Sequence, residues 1–458
     1  MPQASTLTER QPATSRPGQD WRILVAVFWV TSMVEGLGVS QIFALLPTYL
    51  REMGVPDEQR LSFIGLFSAL IFVVGMPLVP LWGAWADKYS RKVVIVRSAL
   101  VEAVVFAAVA LAREPWQVAL AMLLIGFQLG NTGIMLAGIR DVTPRRRLGT
   151  TIAIFGASGP VGFAVGPALA GILIDGFGWA IPPVFALSAL LSVGTAALVT
   201  FGSKEVRPEV VPSGRIVDLA YASLRGVLTD PATRRIFTIF GISFVAIQMS
   251  RPYIPLLVEG INGLGPGLAS AIALVSGTAA LVGALVSPLG GVVGDRIGFR
   301  PVLIAALGGA SVVLFLMPLA GSVGGLALLA VGLGAATATV SSMIFGLLAT
   351  ELPPERRSAA LNLVYLPLYA AGIIGPAAGA VVASTTGVHG LFVAASSVFL
   401  FGAVLIYLRR RQPASAHHLS AADHPPTPVE FRRPARPRLR RRTAPVRATS
   451  TPPAVEGR

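Results

Sequence analysis

Gly83-Ala-Trp-Ala-Asp87-Lys-Tyr-Ser90-Arg91-Lys92 is the stretch on which the fold turns, because its first half returns 208 residues later as Gly291-Val-Val-Gly-Asp295. Other landmarks recur at nearly the same offset. Pro47 returns as Pro255, Gly166-Pro167 as Gly375-Pro376, and Asp141-Val-Thr-Pro144-Arg-Arg146-Arg147 as Glu351-Leu-Pro-Pro354-Glu-Arg356-Arg357. A repeat this long divides the chain into two equivalent halves. What each half is made of follows from composition. Of 458 residues, 53% are hydrophobic and 13% charged, against roughly 25% charged in soluble proteins. The mean hydropathy is +0.71. These proportions exclude a soluble globular enzyme and a wholly disordered chain, and they weigh against a nucleic-acid protein. The absence of Cys excludes disulfides, Cys-ligated metals and thiol chemistry.

A membrane-crossing helix needs about 20 mostly apolar residues. Such stretches lie near 22–49, 61–82, 93–112, 116–139, 149–173 and 181–201, and again near 235–258, 268–290, 301–320, 323–349, 358–384 and 388–408. The expected fold is an all-α membrane protein of twelve transmembrane helices, six in each of two pseudo-symmetric halves. An even number of spans per repeat makes the halves parallel, with a substrate path between them. The domain order is then an N-terminal tail (1–20), a first half (21–201), a linker (202–234) with a surface helix over 215–228, a second half (235–408) and a basic tail (409–458). No cleaved signal peptide is read at 1–20.

Orientation follows the short loops. Those after spans two and four hold Lys88, Arg91, Lys92 and Arg97, then Arg140, Arg145, Arg146 and Arg147, whereas the odd-numbered loops balance or lack cations. The positive-inside bias puts the even loops and both termini in the cytoplasm. The tail carries twelve Arg and three acids, nine of the chain's fifteen net positive charges. Pro-rich and uncored, it is expected to be disordered and drawn to anionic lipid, with no nucleic acid as partner.

Gly83-x-x-x-Asp87-x-x-Ser90-Arg91-Lys92 resembles the signature loop of the major facilitator superfamily, with Ser90 where the family prefers Gly. The second copy keeps that glycine as Gly298 and places Phe299 and Arg300 after it. The resemblance covers roughly residues 21–408. It implies that Gly83, Asp87, Arg91 and Asp141, with Asp295 and Arg300 in the second copy, form a latch holding one conformation. The alternative is a plain topology signal. Gly162-x-x-x-Gly166-Pro167-x-x-Ala170-Gly171 resembles the motif of the superfamily's drug:proton antiporters, with Ala170 for a glycine. Small residues four apart permit close helix crossing and proline bends the helix. A close crossing between the halves is expected there, and its copy is Gly375-Pro376. Ordinary small-residue packing is the competing reading.

Charges inside spans are costly and mark function by default. Glu35 lies midway along span one, Glu102 about 13 Å into span three at 1.5 Å per residue, and Arg251 in span seven. A carboxyl in a low-dielectric cavity suits proton binding and release within one cycle, so Glu35 and Glu102 are the proton-coupling candidates. Glu102 has a structural alternative, pairing with Arg97. Helices one and seven line the cavity in the family, so the resemblance places Glu35 and Arg251 there, able to pair in one state and part in another. Arg251 is equally suited to an anionic substrate. Gln41, Gln128, Asn131, Gln248, Asn362, Tyr365 and Tyr369 are cavity candidates or helix–helix hydrogen-bond formers.

No Walker loop, metal-ligand cluster or nucleophile–base pair appears, so no metal, cofactor or enzyme activity is expected. Energy then comes from an ion gradient or the substrate's own gradient. The resulting expectation is a monomeric inner-membrane transporter exporting a small hydrophobic or amphipathic compound in exchange for protons. Its rivals are an uptake symporter or uniporter for a polar or anionic metabolite, and a transport-dead anchor or sensor.

Overall fold

The computed structural model describes residues 20–208, 211–351, 363 and 365–410. The N-terminal residues, the repeat element at 354–357, Asn362 and the tail from 411 on lie outside the described residues. Among the described residues sixteen α-helices run in chain order: α1 Trp21–Glu52, α2 Asp57–Val73, α3 Gly75–Lys88, α4 Arg91–Leu111, α5 Pro115–Leu124, α6 Asn131–Val142, α7 Leu148–Gly156, α8 Ser158–Gly171, α9 Ile181–Gly202, α10 Ile216–Thr229, α11 Pro231–Ser250, α12 Ile254–Asn262, α13 Leu268–Ile297, α14 Phe299–Leu316, α15 Val323–Glu351 and α16 Leu366–Arg410. Among the described residues, ten continuous apolar stretches are long enough to cross a membrane.

Two features bring ten stretches to twelve crossings. The last stretch, Leu366–Leu408, is 43 residues, about 65 Å at 1.5 Å per residue and twice a bilayer's hydrocarbon thickness. It turns at Gly387, where φ is 75°, a left-handed backbone that favours a residue without Cβ. The seventh crossing is broken at Arg251–Tyr253, between α11 and α12. Pro252 supplies no N–H to continue the α-helical ladder there.

Sequence chemistry sets the helix starts. Asp20 accepts from the Arg22 N–H at 3.0 Å, Ser90 from Val93 at 3.1 Å and Asp230 from Thr233 at 2.9 Å, each filling a donor the helix itself leaves open. α5, α9 and α11 begin with proline in the first turn, where the missing N–H costs nothing.

The halves meet along two seams. In one, α8 lies between α1 and α13: Gly162 and Gly166 face Met33 and Leu37 of α1, whereas Ala164 and Gly171 face Gly277 and Ser270 of α13. In the other, Gly65 of α2 abuts Pro376, Ala380 and Tyr253, and Phe72 abuts Gly372. The close crossing expected between halves is therefore made only partly by the glycine motif. Gly162 and Gly166 pack within their own half, as Gly375 does against Val245 and Met249 of α11. Four-residue spacing puts two glycines on one helix face, and that face belongs to α1.

A single apolar core runs through both halves. From the first half it takes in Leu46, Leu50, Ile64, Phe67, Val109 and Val118, all toward the ends away from the basic loops. At the basic end the first half keeps its own cluster, including Leu24, Phe28, Val94, Ile95, Ile139 and Val199. The halves are fused at one face and separately cored at the other.

Candidate functional site

Glu35 sits in α1 with one carboxylate oxygen accepting from Asn131 Nδ2 at 2.9 Å. Gln128 flanks the same carboxyl. Asn131 and Gln128 reach it because span four breaks there, in a tight turn at Ile125–Gln128 and a left-handed Gly130 (φ 99°). Across the seam, Tyr365 and Tyr369 stack with ring centroids 6.4 Å apart, and Tyr369 stacks in turn on Phe72 at 6.0 Å. Both tyrosines lie within electrostatic reach of Glu35, and Tyr369 hydrogen-bonds the Gly130 backbone.

Glu102 is 2% exposed. Its Oε1 has no hydrogen-bond partner among the described residues, Ser192 lies beside the carboxyl, and its charge interacts with that of Glu35. Pairing with Arg97 does not occur. Arg97 lies within α4, not in the loop, with its guanidinium 3.6 Å from the Trp82 ring centroid. Five residues carry Arg97 and Glu102 to different sides of the helix, where an i,i+4 pair would have shared one.

Arg251 occupies the break in span seven. Its guanidinium lies 5.4 Å from the Phe163 ring and 6.0 Å from that of Phe43, aromatic faces supplied by the other half. Such contacts are worth about 2 kcal/mol when desolvated. Arg251 and Glu35 make no ion pair in this conformation.

Of the neutral candidates, Gln41 does not line an opening. It is fully buried, donating to Gly166 O at 3.2 Å and accepting from Ser188 Oγ at 2.5 Å, and so ties spans one, five and six together. Gln248 is buried where α11 meets Gly375. Tyr365 is half-buried beside Tyr369. Glu35, Glu102, Asn131, Gln128 and Tyr365 thus share one neighbourhood, with Arg251 separate among phenylalanines.

At the basic face Arg91 gathers the signature loop. Its Nε and Nη2 reach Asp87 Oδ1 at 3.0 and 2.9 Å, and Nη1 reaches Asp141 Oδ2 at 2.7 Å. Arg91 is 4% exposed, while its partners Asp87 and Asp141 stay partly open to water at 43% and 26%. In the second copy Asp295 is exposed and joins no ion pair among the described residues, while Arg300 opens α14. Gly83 has open space around it.

Sequence reasoning missed Glu205, in the linker after α9. Its carboxylate accepts from the Ser90 hydroxyl and from the Arg91 N–H at 2.9 Å. A carboxylate at a helix start satisfies free N–H groups and the positive end of the helix dipole. The departure from glycine at Ser90 was the available signal. The residues joining the halves at the opposite face were missed too. Glu259 of α12 takes both Arg51 and Arg60, Tyr253 donates to Leu61 O at 2.8 Å, and Asp175 accepts from the Gly267 and Ser270 N–H groups at 3.1 and 2.6 Å. Among the described residues no cluster of side chains is arranged to hold a metal ion.

The sequence profile of the Major Facilitator Superfamily matches residues 28–280 and 268–449. Multidrug resistance protein MdtG of Proteus mirabilis is 26% identical over 401 residues, covering 86% of this chain and 97% of that protein. Its counterpart in Citrobacter koseri is 28% identical over 406 residues, covering 87% and 98%. A solved structure of the nucleoside transporter NupG superposes with a TM-score of 0.69 at 16% identity, covering 84% of this chain and 99% of that one, a likeness of fold. With two six-helix halves, a repeated signature loop and a polar site between the halves, this chain belongs to the major facilitator superfamily and is a membrane transporter for a small molecule, not an enzyme.

Proposed function

We propose that the protein is a secondary active transporter of the inner membrane that exports a small hydrophobic or amphipathic compound in exchange for protons. The observation that carries this is the Glu35 carboxylate, held by Asn131 in the seam between halves and in electrostatic contact with Glu102. Two carboxyls in one apolar neighbourhood disfavour simultaneous ionisation, so proton uptake at one is tied to the state of the other. The named relatives are multidrug resistance proteins, which supports a hydrophobic cargo and outward transport.

Alternating access is supported by the asymmetry of the core, shared at one face and divided at the other. With the basic loops in the cytoplasm, as the charge bias assigns them, this conformation is closed outside and faces inward. Asp87–Arg91–Asp141 then acts on the cytoplasmic side, its bonds holding the first half's helices in one mutual arrangement. Protons serve as the coupling ion and the monomer as the transporting unit.

Arg251 supports a second reading, uptake of a polar or anionic metabolite, because no carboxylate among the described residues pairs with it. Accumulation of a lipophilic dye in energised cells separates the two. Export lowers accumulation when the protein is expressed, and collapsing the proton gradient restores it. Raised accumulation on expression overturns the export reading.

A further inference from the structure

The break in span four is fastened from outside that span. Where a helix is interrupted, carbonyls lose their intrahelical partners. The Gln128 carbonyl is taken by the Ser98 hydroxyl of α4, which donates to it at 2.9 Å. Ser98 is fully buried, and its bond is unlike those of other buried hydroxyls in the spans. Thr31, Ser68 and Ser243 donate back to carbonyls of their own helices, a common habit of helical hydroxyls. Ser98 reaches across to a neighbouring span instead.

Arg97 directs that hydroxyl. Its Nη2 donates to Ser98 Oγ at 3.0 Å, which occupies a lone pair and leaves the hydroxyl proton for Gln128. The guanidinium is held against the Trp82 ring of α3 and joins no ion pair among the described residues. Its Nε and Nη1 find no hydrogen-bond partner among them either. Beyond the break, Gln128 flanks the Glu35 carboxyl and Asn131 donates to it. Trp82, Arg97, Ser98 and Gln128 thus form one line of contacts that runs from spans two and three into span four and ends at Glu35.

We propose that Ser98 is a positioning residue for Glu35. Turned by Arg97, its hydroxyl pins the break in span four and so sets where Gln128 and Asn131 meet the carboxylate. This role rests on the reading of Glu35 as a proton carrier. The other titratable groups facing that carboxyl are Glu102 of α4 and, from the second half, Tyr365 and Tyr369. A substitution at Ser98 leaves all three in place.

Infrared titration of the purified full chain reads the Glu35 carboxyl directly, as the protonated-carboxyl band absent from Glu35→Gln, and needs neither cargo nor gradient. The positioning role can therefore fail while dye export stands, or hold while export fails. Asn131→Ala removes one bond to the carboxylate and sets the direction of the shift. Ser98→Ala is expected to move the midpoint the same way by about one pH unit, part of the worth of a hydrogen bond to a charged group. Ser98→Thr, which keeps the hydroxyl, should stay near the unaltered protein. Arg97→Met keeps an apolar stem against Trp82 and should give a smaller shift than Ser98→Ala. Because Arg97 acts through Ser98, the double variant should shift no further than Ser98→Ala alone. An unmoved midpoint in Ser98→Ala, or in Arg97→Met should Ser98→Ala not fold, overturns the proposal. So does an equal shift in Ser98→Thr, which would assign the effect to packing, or a double variant that shifts by the sum of the two.

Discussion

Arg60 of α2 and Glu259 of α12 lie 3.2 Å apart across the seam between the halves, with side chains only 8% and 14% exposed. Arg51 touches the same carboxylate, and the largely exposed Asp57 meets the same Arg60 Nη2 at 2.9 Å. A pair screened from water outweighs the 0–1 kcal/mol typical of exposed pairs, and removing its acid leaves two cations facing one another. Glu259→Gln should therefore open this face. The chain has no Cys, so a single Ala380→Cys, buried against Gly65 of α2, reports the opening through its maleimide labelling rate. A shift of about 1.4 kcal/mol in the conformational balance gives a tenfold faster rate. An unchanged rate would show that Glu259 does not hold the seam.

Glu35→Gln keeps an amide able to hydrogen-bond with Asn131 but removes the ionisable proton. Insertion and folding are expected to be normal, and transport driven by a pH gradient in proteoliposomes to be lost. Asn131→Ala removes the 2.9 Å hydrogen bond and leaves the carboxyl. It should move the pH dependence of transport without abolishing it, because hydrogen bonding to the charged form is one of the forces that set proton affinity. Full pH-gradient dependence in Glu35→Gln would remove Glu35 from the coupling mechanism.

The twelve crossings and their division into halves were legible because length, apolarity and the 208-residue repeat are properties of the chain itself. Who faces whom was not. A span that is apolar all round carries no stripe to say which side meets lipid and which meets a neighbour. Gln41 read equally well as a cavity residue or a helix tie, and only the placement of Gly166 and Ser188 decides for the tie. Glu259 and Asp175 read as loop charges because their partners are distant in sequence. Arg91, Asp87 and Asp141 were the exception: the loop motif sets two of them close together on either side of the short turn between α3 and α4.

Glu205 should prove a positioning residue for that loop. Its carboxylate serves Ser90 and the Arg91 N–H together, so Glu205→Ala leaves the start of α4 with the Ser90 cap alone. The expected loss is about 1 kcal/mol, read as a fall of a few degrees in Tm. Ser90→Ala should cost a similar amount, and the double variant less than the sum of both, since the two side chains share a bond. Strict additivity would show that they act independently.

Gly166 and Gly159 lie two helical turns apart on α8 and should respond oppositely to the same methyl group. A Cβ at Gly166 runs into the Leu37 carbonyl and Ser40 of α1, whereas one at Gly159 meets nothing within 4 Å. Backbone cannot retreat as a flexible side chain does, so Gly166→Ala must separate α1 from α8. Overpacking of this kind costs about 1–3 kcal/mol. It also strains the Gln41 bond to Gly166 O, which spans the same contact. Gly159→Ala gains helix propensity instead, up to about 1 kcal/mol. Thermal unfolding of the two purified variants should place their Tm values on either side of the unaltered protein. If Gly166→Ala is as stable as Gly159→Ala, the α1–α8 crossing is not set by backbone proximity.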